Sequence, residues 1–410
     1  MNRWLPLSNG LVVGPLWVLV LTTALGPLLP ARAAAPELRR FDSEQYVVHT
    51  TLDRAEAAHW ARHMDAVFRE YSWRFRAFVP RQHEPNDLYL FKTRQEYLDF
   101  LAAKDIVATN SGGLFVVRGD FSGLFTWTQD KSRSTSIQTL QHEGFHQFAW
   151  NFIGHTLPIW VNEGLAQYFE DGILVGERKM HLGLVNERRI ALVKAAVAEQ
   201  RAVELRDLLT MTADQWHQTL RDDPEAAALN YAQSWALCFF LIHGDEGRYR
   251  TDFEQYLHFV AERMDSDEAF TTAFRTKPLQ HEWKKYVLDL EPDPLTTALS
   301  RLEFLGQALR FLQAHDHPTP RTLKTLMGQL QAMRYRMWIS SHGIRFEHDA
   351  RDAENFQYTR PNGVVRAFKL LAPARNDLPP RIVAPGLRPE PMLVWSRDED
   401  DQLVQDVQFR

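Results

Sequence analysis

The sequence predicts an α+β fold in which a mainly antiparallel sheet lies over a helix pair. Three observations predict it. Strand-like segments fill the region between residues 46 and 128. Two helical patterns follow, centred on Gln141-His142-Glu143-Gly144-Phe145-His146-Gln147 and on Trp160-Val161-Asn162-Glu163-Gly164-Leu165-Ala166. Helix-period segments then continue until the composition changes at Glu291-Pro292-Asp293-Pro294.

Each element follows from its pattern. Tyr46-Val47-Val48-His49-Thr50 is β-branched and reads as a strand, with an amphipathic helix over Leu52 to Phe78. Asp87 to Lys92 is a second strand, followed by a helix over Gln95 to Ala102. Gly113 to Arg118 and Gly123 to Thr128 alternate around Gly119-Asp120, as a hairpin does. Ser134 or Thr135 can cap the next helix, which runs to Trp150. The second helix of the pair starts at Pro158 and stops at Gly172. Further helices are expected over Asn186 to Ala198, Leu205 to Leu209, Tyr231 to His243 and Asp252 to Met264. Past the boundary, Leu295 to Ala314 and Pro318 to Met337 read as an antiparallel helix pair. Beyond Arg345 the chain turns strand-like, with turns at Pro361-Asn362-Gly363 and at the acidic run Asp398 to Gln402. That run is either a solvated turn or a cation site. The expected organisation is residues 1–35 as a targeting segment, 36–290 as the main domain, 291–340 as a helix pair and 341–410 as a small β-rich module. Within the main domain, 36–130 forms the sheet part and 131–290 the helical part.

The helix pair carries the chemistry. His142 and His146 are four apart, so both imidazoles leave the helix on one side and can reach one metal ion. Thr135 and Thr139 share that face, while Ile137, Leu140, Gly144 and Phe148 lie opposite. Sixteen residues separate His146 from Glu163, which supplies a third ligand from the second helix. Hydrolytic zinc sites take three protein ligands and keep the fourth position for water. Glu143 flanks the metal as general base. One Zn2+ per chain is therefore expected on His142, His146 and Glu163. Gln167 and Glu170 share a face with Glu163 and are placed to orient the imidazoles.

These residues resemble the gluzincin metallopeptidases, in which two motif histidines and a later glutamate hold zinc. The run Asn162 to Glu170 is similar to the glutamate-ligand helix of the aminopeptidase-type branch. A closer likeness is to secreted bacterial proteins of unknown function classed as peptidase-MA-like. They share the His-Glu-Gly-Phe-His-Gln helix, the Asn-Glu-Gly-Leu-Ala-x-Tyr-Phe-Glu helix and a later Tyr-Ala-Gln-Ser-Trp, here Tyr231 to Trp235. The resemblance spans Phe41 to Leu288 and implies a gluzincin-like zinc-peptidase fold without a known substrate. By family position it implies Tyr231 as the hydrogen-bond donor to the oxyanion, with a packed ring at a helix start as the alternative. The aminopeptidase branch has a longer gap before its glutamate and a Gly-x-Met-Glu-Asn strand that grips the substrate amine. The nearest stretch here, Gly123 to Trp127, has no carboxylate, which favours endo- or oligopeptidase action. Ala149 and Phe152 replace the Gly and His a metzincin needs. His155 is a stray ligand candidate between the two helices.

At 410 residues and 45% hydrophobic, the chain can bury a large core, and its net charge of −5 argues against nucleic acid as a partner. Arg3, the apolar run Leu11 to Leu29 and a small-residue site at Ala31-Arg32-Ala33 or Ala33-Ala34-Ala35 make an export signal, cleaved to release a secreted or periplasmic protein. Its alternative is retention as an N-terminal membrane anchor. The single cysteine, Cys238, sits in an apolar run and reads as a core residue. Cleavage of peptide or protein substrates is the leading reading. A non-catalytic envelope binding protein stapled by zinc, with His155 filling the fourth position, is the second. Hydrolysis of a cell-wall amide is the third, because the groove loops set the substrate.

Overall fold

The computed structural model describes residues 36–410, apart from 110, 120, 156, 177–178, 276–277 and 342–343. The targeting segment and Asp120 of the hairpin turn lie outside the described residues. No helix among the described residues is long and apolar enough to cross a membrane.

Five strands, β1 (Arg39–Asp42), β2 (Tyr46–Thr50), β3 (Asn86–Phe91), β4 (Gly113–Arg118) and β5 (Phe121–Trp127), form one sheet in the order β1-β2-β3-β5-β4. The sheet is mixed, which corrects the expectation of a mainly antiparallel one. β1 with β2 and β4 with β5 are antiparallel, whereas β2 with β3 and β3 with β5 are parallel. The cause is the crossover helix α1 (Arg54–Arg74), which returns the chain to the same end of the sheet and makes the next strand parallel. After α2 (Arg94–Ala103), the β4–β5 hairpin inserts β5 beside β3 and leaves β4 at the edge. Asp53 caps α1 by accepting from the Ala55 and Glu56 amides, and a Thr93–Glu96 capping box starts α2. Trp60, Met64, Val67 and Tyr71 form the buried stripe of α1.

Under the sheet run α3 (Arg133–Phe148) and α4 (Ile159–Glu170). Ser132 is the cap of α3, accepting from the Thr135 amide, so the start lies slightly before the expected Ser134 or Thr135. A π-helical turn over Ala149–Ile153 ends α3, and Gly154 at φ 149° reverses the chain towards α4 in a conformation that disfavours a side chain. A short hairpin, β6 (Ile173–Val175) with β7 (Lys179–His181), follows. Seven helices complete this half: α5 (Glu187–Ala198), α6 (Leu205–Thr210), α7 (Ala213–Asp222), α8 (Pro224–His243), α9 (Arg250–Ala261), α10 (Ser266–Phe274) and α11 (Leu279–Asp289). α8 begins seven residues before Tyr231 because Asp223 caps it and Pro224 fits the first turn. α4 crosses α8 closely at Gly164, where a Cβ would lie 2.5 Å from the Ser234 carbonyl oxygen and 2.6 Å from Cys238 Sγ. Cys238 is buried, as its apolar context implied.

The C-terminal half has its own core. α12 (Pro294–Ala314), α13 (Leu323–Ala332), the hairpin β8 (Arg336–Ser341) and β9 (Ile344–Asp349), the pair β10 (Gln357–Thr359) and β11 (Val365–Ala367), and the antiparallel sheet of β12 (Lys369–Leu371), β13 (Arg381–Val383), β14 (Pro391–Arg397) and β15 (Leu403–Phe409) compose it. Leu302, Phe304 and Leu309 of α12, Leu326 and Leu330 of α13, and Ile382, Leu393 and Trp395 of the strands share one apolar cluster. The second helix is shorter than expected. Pro318 and Pro320 stay in the loop, Thr322 caps α13, and Arg336 already opens β8. The acidic run at the β14–β15 turn meets an internal cation: Lys92 Nζ lies 2.6 Å from both Glu399 and Asp400.

Candidate metal centre

The His142, His146 and Glu163 side chains converge, with one ligand atom from each lying within 4.8 Å of the others. His142 Nε2 is 3.4 Å from Glu163 Oε2, and His146 Nε2 is 3.8 Å from the same oxygen. Ligand atoms bound to one tetrahedral zinc at 2.0–2.2 Å are about 3.3 Å apart, so the group closes to that size with small adjustments. All three side chains are buried, at 2%, 1% and 0% exposure.

The outer nitrogens explain why the inner ones converge. His142 Nδ1 is 3.0 Å from Glu170 Oε2, and His146 Nδ1 is 3.0 Å from Asn162 Oδ1. Both partners are acceptors at that contact, so Nδ1 carries a hydrogen and Nε2 is the nitrogen that would turn its lone pair to a bound cation. Glu170 is fixed in turn by Arg189 Nη2 at 2.8 Å, while Arg189 Nη1 holds Asp171. Burial works against a charged His142, but Glu163 and Glu170 overcome it and hold its pKa up at about 10. A site that binds protons so firmly has the charge and the donor set for a divalent cation. The residues fit zinc.

Glu143 is buried beside the group and outside it. Burial pushes its pKa up to about 7, against His142 and the Phe115 amide, which lower it. That amide, on edge strand β4, donates to Glu143 Oε2 at 3.0 Å. Helix and strand edge thus meet at the carboxylate expected to act as base.

The two helices are strapped reciprocally. Gln141 Nε2 of α3 donates to the Phe169, Glu170 and Gly172 carbonyls at the end of α4, at 2.8, 3.2 and 3.0 Å. The Phe169 carbonyl also accepts from the Gly172 amide, and the side chain closes the rest of this helix end and fixes the ligand spacing. Gln167 does not reach an imidazole, because its Nε2 donates to the Tyr231 carbonyl at 2.9 Å. Tyr231 is buried with its ring edge-on to Trp216, centroids 4.8 Å apart. Burial and then the Glu163 charge raise its phenol pKa, which places the hydroxyl in the electrostatic field of the centre. His155 stacks on Trp150 at 4.0 Å and is not in the ligand group.

Sequence reasoning missed Asn162 and Arg189 as supports, and also Lys131. The Lys131 ammonium is held by the Gly112 carbonyl and by Thr126 Oγ1 at 2.9 Å, and it lies 3.5 Å above the Trp127 ring. It ties the starts of the β4 edge and the α3 cap together beside Glu143.

A family model described as a protein of unknown function (DUF1570) matches residues 136–267, a span that holds His142, Glu143, His146, Glu163 and Tyr231. No curated protein matches the chain.

Proposed function

We propose that this chain is an exported zinc peptidase that cleaves peptide or protein substrates internally. The observation that carries the reading is the pairing of a three-ligand group with a non-ligating carboxylate. Glu143 sits against both the ligand helix and the backbone of edge strand β4. When bound, zinc polarises the scissile carbonyl and makes a water acidic enough to ionise near neutral pH. Glu143 accepts the proton of the attacking water and passes it to the leaving amine. Strand β4, at the edge of the sheet, is the place where an extended peptide would lie. Tyr231 is proposed as the donor to the developing oxyanion. The three side chains in the ligand group, with His155 elsewhere, support catalysis over a four-ligand structural staple.

Glu143→Gln tests this directly. The amide preserves shape and the ligand set but cannot take the proton. Zinc content and melting should stay parental, while turnover of a peptide-library hit falls by ~10²–10⁴-fold. Parental turnover in the folded, zinc-loaded variant would refute the mechanism. A library screen with no chelator-sensitive cleavage would favour the binding-protein reading.

A further inference from the structure

A second histidine-centred cluster lies in the C-terminal half. His348 on β9 has Nε2 3.1 Å from Ser300 Oγ on α12. Its Nδ1 is 2.6 Å from Asn355 Oδ1, in the 3-10 turn Ala353–Phe356. Donor accounting assigns every proton in this line. Asn355 Nδ2 donates to the Asp349 carbonyl at 2.8 Å, so its oxygen faces the imidazole and Nδ1 must carry the hydrogen. Nε2 is then a lone pair. Arg188 of α5 can only donate, and its Nη2 lies 2.8 Å from the same Ser300 Oγ. The serine hydrogen therefore points at Nε2.

That is the arrangement of a serine nucleophile, its base and the group that orients the base, recognised by geometry and roles rather than by chain order. The base is held rigidly. Its ring stacks on Phe304 at 5.4 Å and meets Phe346 edge-on at 4.9 Å. Burial, helped by the charges of Arg188 and Arg301, lowers its pKa to about 4 despite the Asn355 hydrogen bond, so it is a free base at neutral pH. Ser300 and Arg188 also border a cleft of about 320 Å³ between the two halves of the molecule, with Leu174, Leu299 and Phe409 on its apolar side and Glu187, Glu303 and Asp406 on its acidic side. A cavity of this size holds a small ligand.

We propose that Ser300, His348 and Asn355 form a second, metal-independent hydrolytic centre for small uncharged esters. Ser300 Oγ bonds to the ester carbonyl carbon as its proton passes to His348 Nε2, and the carbonyl electron pair moves onto oxygen. The Arg188 guanidinium receives that charge. The bond to the leaving alcohol then breaks, the alcohol takes the proton from Nε2, and Ser300 is left acylated. Water repeats the sequence, giving its proton to Nε2 and its oxygen to the acyl carbon. Ser300 departs with that proton, and a carboxylic acid is released. Asn355 is a positioning residue. A weakly basic imidazole suits esters with good leaving groups rather than amides, which separates this centre chemically from the peptidase site.

The test uses the full chain with diisopropyl fluorophosphate, which serine attacks with loss of fluoride, and with p-nitrophenyl acetate. One adduct per chain should map to the Ser300 peptide by mass spectrometry. Ser300→Ala should abolish it, and His348→Gln should slow it at least ~10²-fold. Chelator and Glu143→Gln should leave Ser300 labelling unchanged, so failure here is distinguishable from failure of the peptidase reading. The absence of a Ser300 adduct in folded wild-type protein would overturn the proposal, whatever the variants do. So would labelling in His348→Gln at the wild-type rate.

Discussion

The His142–His146 pair and His348 sit in different halves of the chain and are anchored alike, each by Nδ1 on a side-chain oxygen. They differ in what Nε2 faces. In the first cluster it faces the Glu163 carboxylate, and in the second the Ser300 hydroxyl beside a guanidinium. Two lone pairs and a carboxylate make a hole for a cation. In the second cluster, the fixed positive charge of Arg188 beside the single lone pair repels a cation and leaves proton chemistry. The partner of a single nitrogen thus separates a metal centre from an acid–base pair.

Exchanging the two histidines for alanine gives the largest contrast. His146→Ala should lose stoichiometric zinc, with a fall in affinity beyond the ~10–100-fold that a hydrogen-bonding support contributes. His348→Ala should bind zinc like the parent. Metal analysis and competition titration check both, and zinc loss from the His348 variant would erase the distinction.

Acid comes next, and it tests the halves together through His63 and His348, both buried and both lowered to about 4. Burial is the main cause in each. The folded pKa lies below the unfolded value of ~6.5, so the stabilisation is complete above 6.5 and is lost as pH falls from there towards 4. Each group contributes at most ~3 kcal/mol. Chemical denaturation of chelator-treated protein across that window should show the loss, and His63→Gln should remove part of it. Glu143, raised to about 7, titrates in the same window with the opposite sign, so the readout is the difference between variants: a profile unchanged in both His63→Gln and His348→Gln would show that neither ring is held neutral.

Supporting amides should separate more finely. Asn162→Ala should weaken zinc ~10–100-fold with little change in fold, whereas Asn355→Ala should not touch zinc at all. Smallest is Lys92→Ala, which releases the β14–β15 turn. Its carboxylate partners are 43% and 53% exposed, so the loss should stay below ~1 kcal/mol and shrink with salt.

What could be read from the sequence was what is local. His142, Glu143 and His146 share one helix turn, and Glu163 follows on the next helix, so periodicity and spacing sufficed. Glu170 was legible by the same spacing. Asn162 stands immediately before Glu163, and its neighbourhood to a ligand was the available signal. Arg189 was not legible, because it reaches Glu170 from a helix beyond the β6–β7 hairpin. Strand direction failed for a related reason: the pattern of β2 or β3 is the same whichever way its neighbour runs, and only the α1 crossover decides. Helix α7 escaped notice although Thr212 and Gln215 form a capping box that marks its start. The Ser300 line was invisible, since its members come from α12, β9, a 3-10 turn and α5.

The Gln141 strap has a thermodynamic consequence. It joins α3 to the end of α4 through three carbonyls, while Asn162 and Glu170 reach back to the histidines. Orientation of the ligands is therefore completed when the chain folds, with no ordering left for the ion to impose. Metal binding in such a centre is an equilibrium of a finished receptor, unlike a zinc finger, whose fold exists only while the ion is present. Stripping the ion should leave the molecule standing, and the empty centre should refill without passing through an unfolded state.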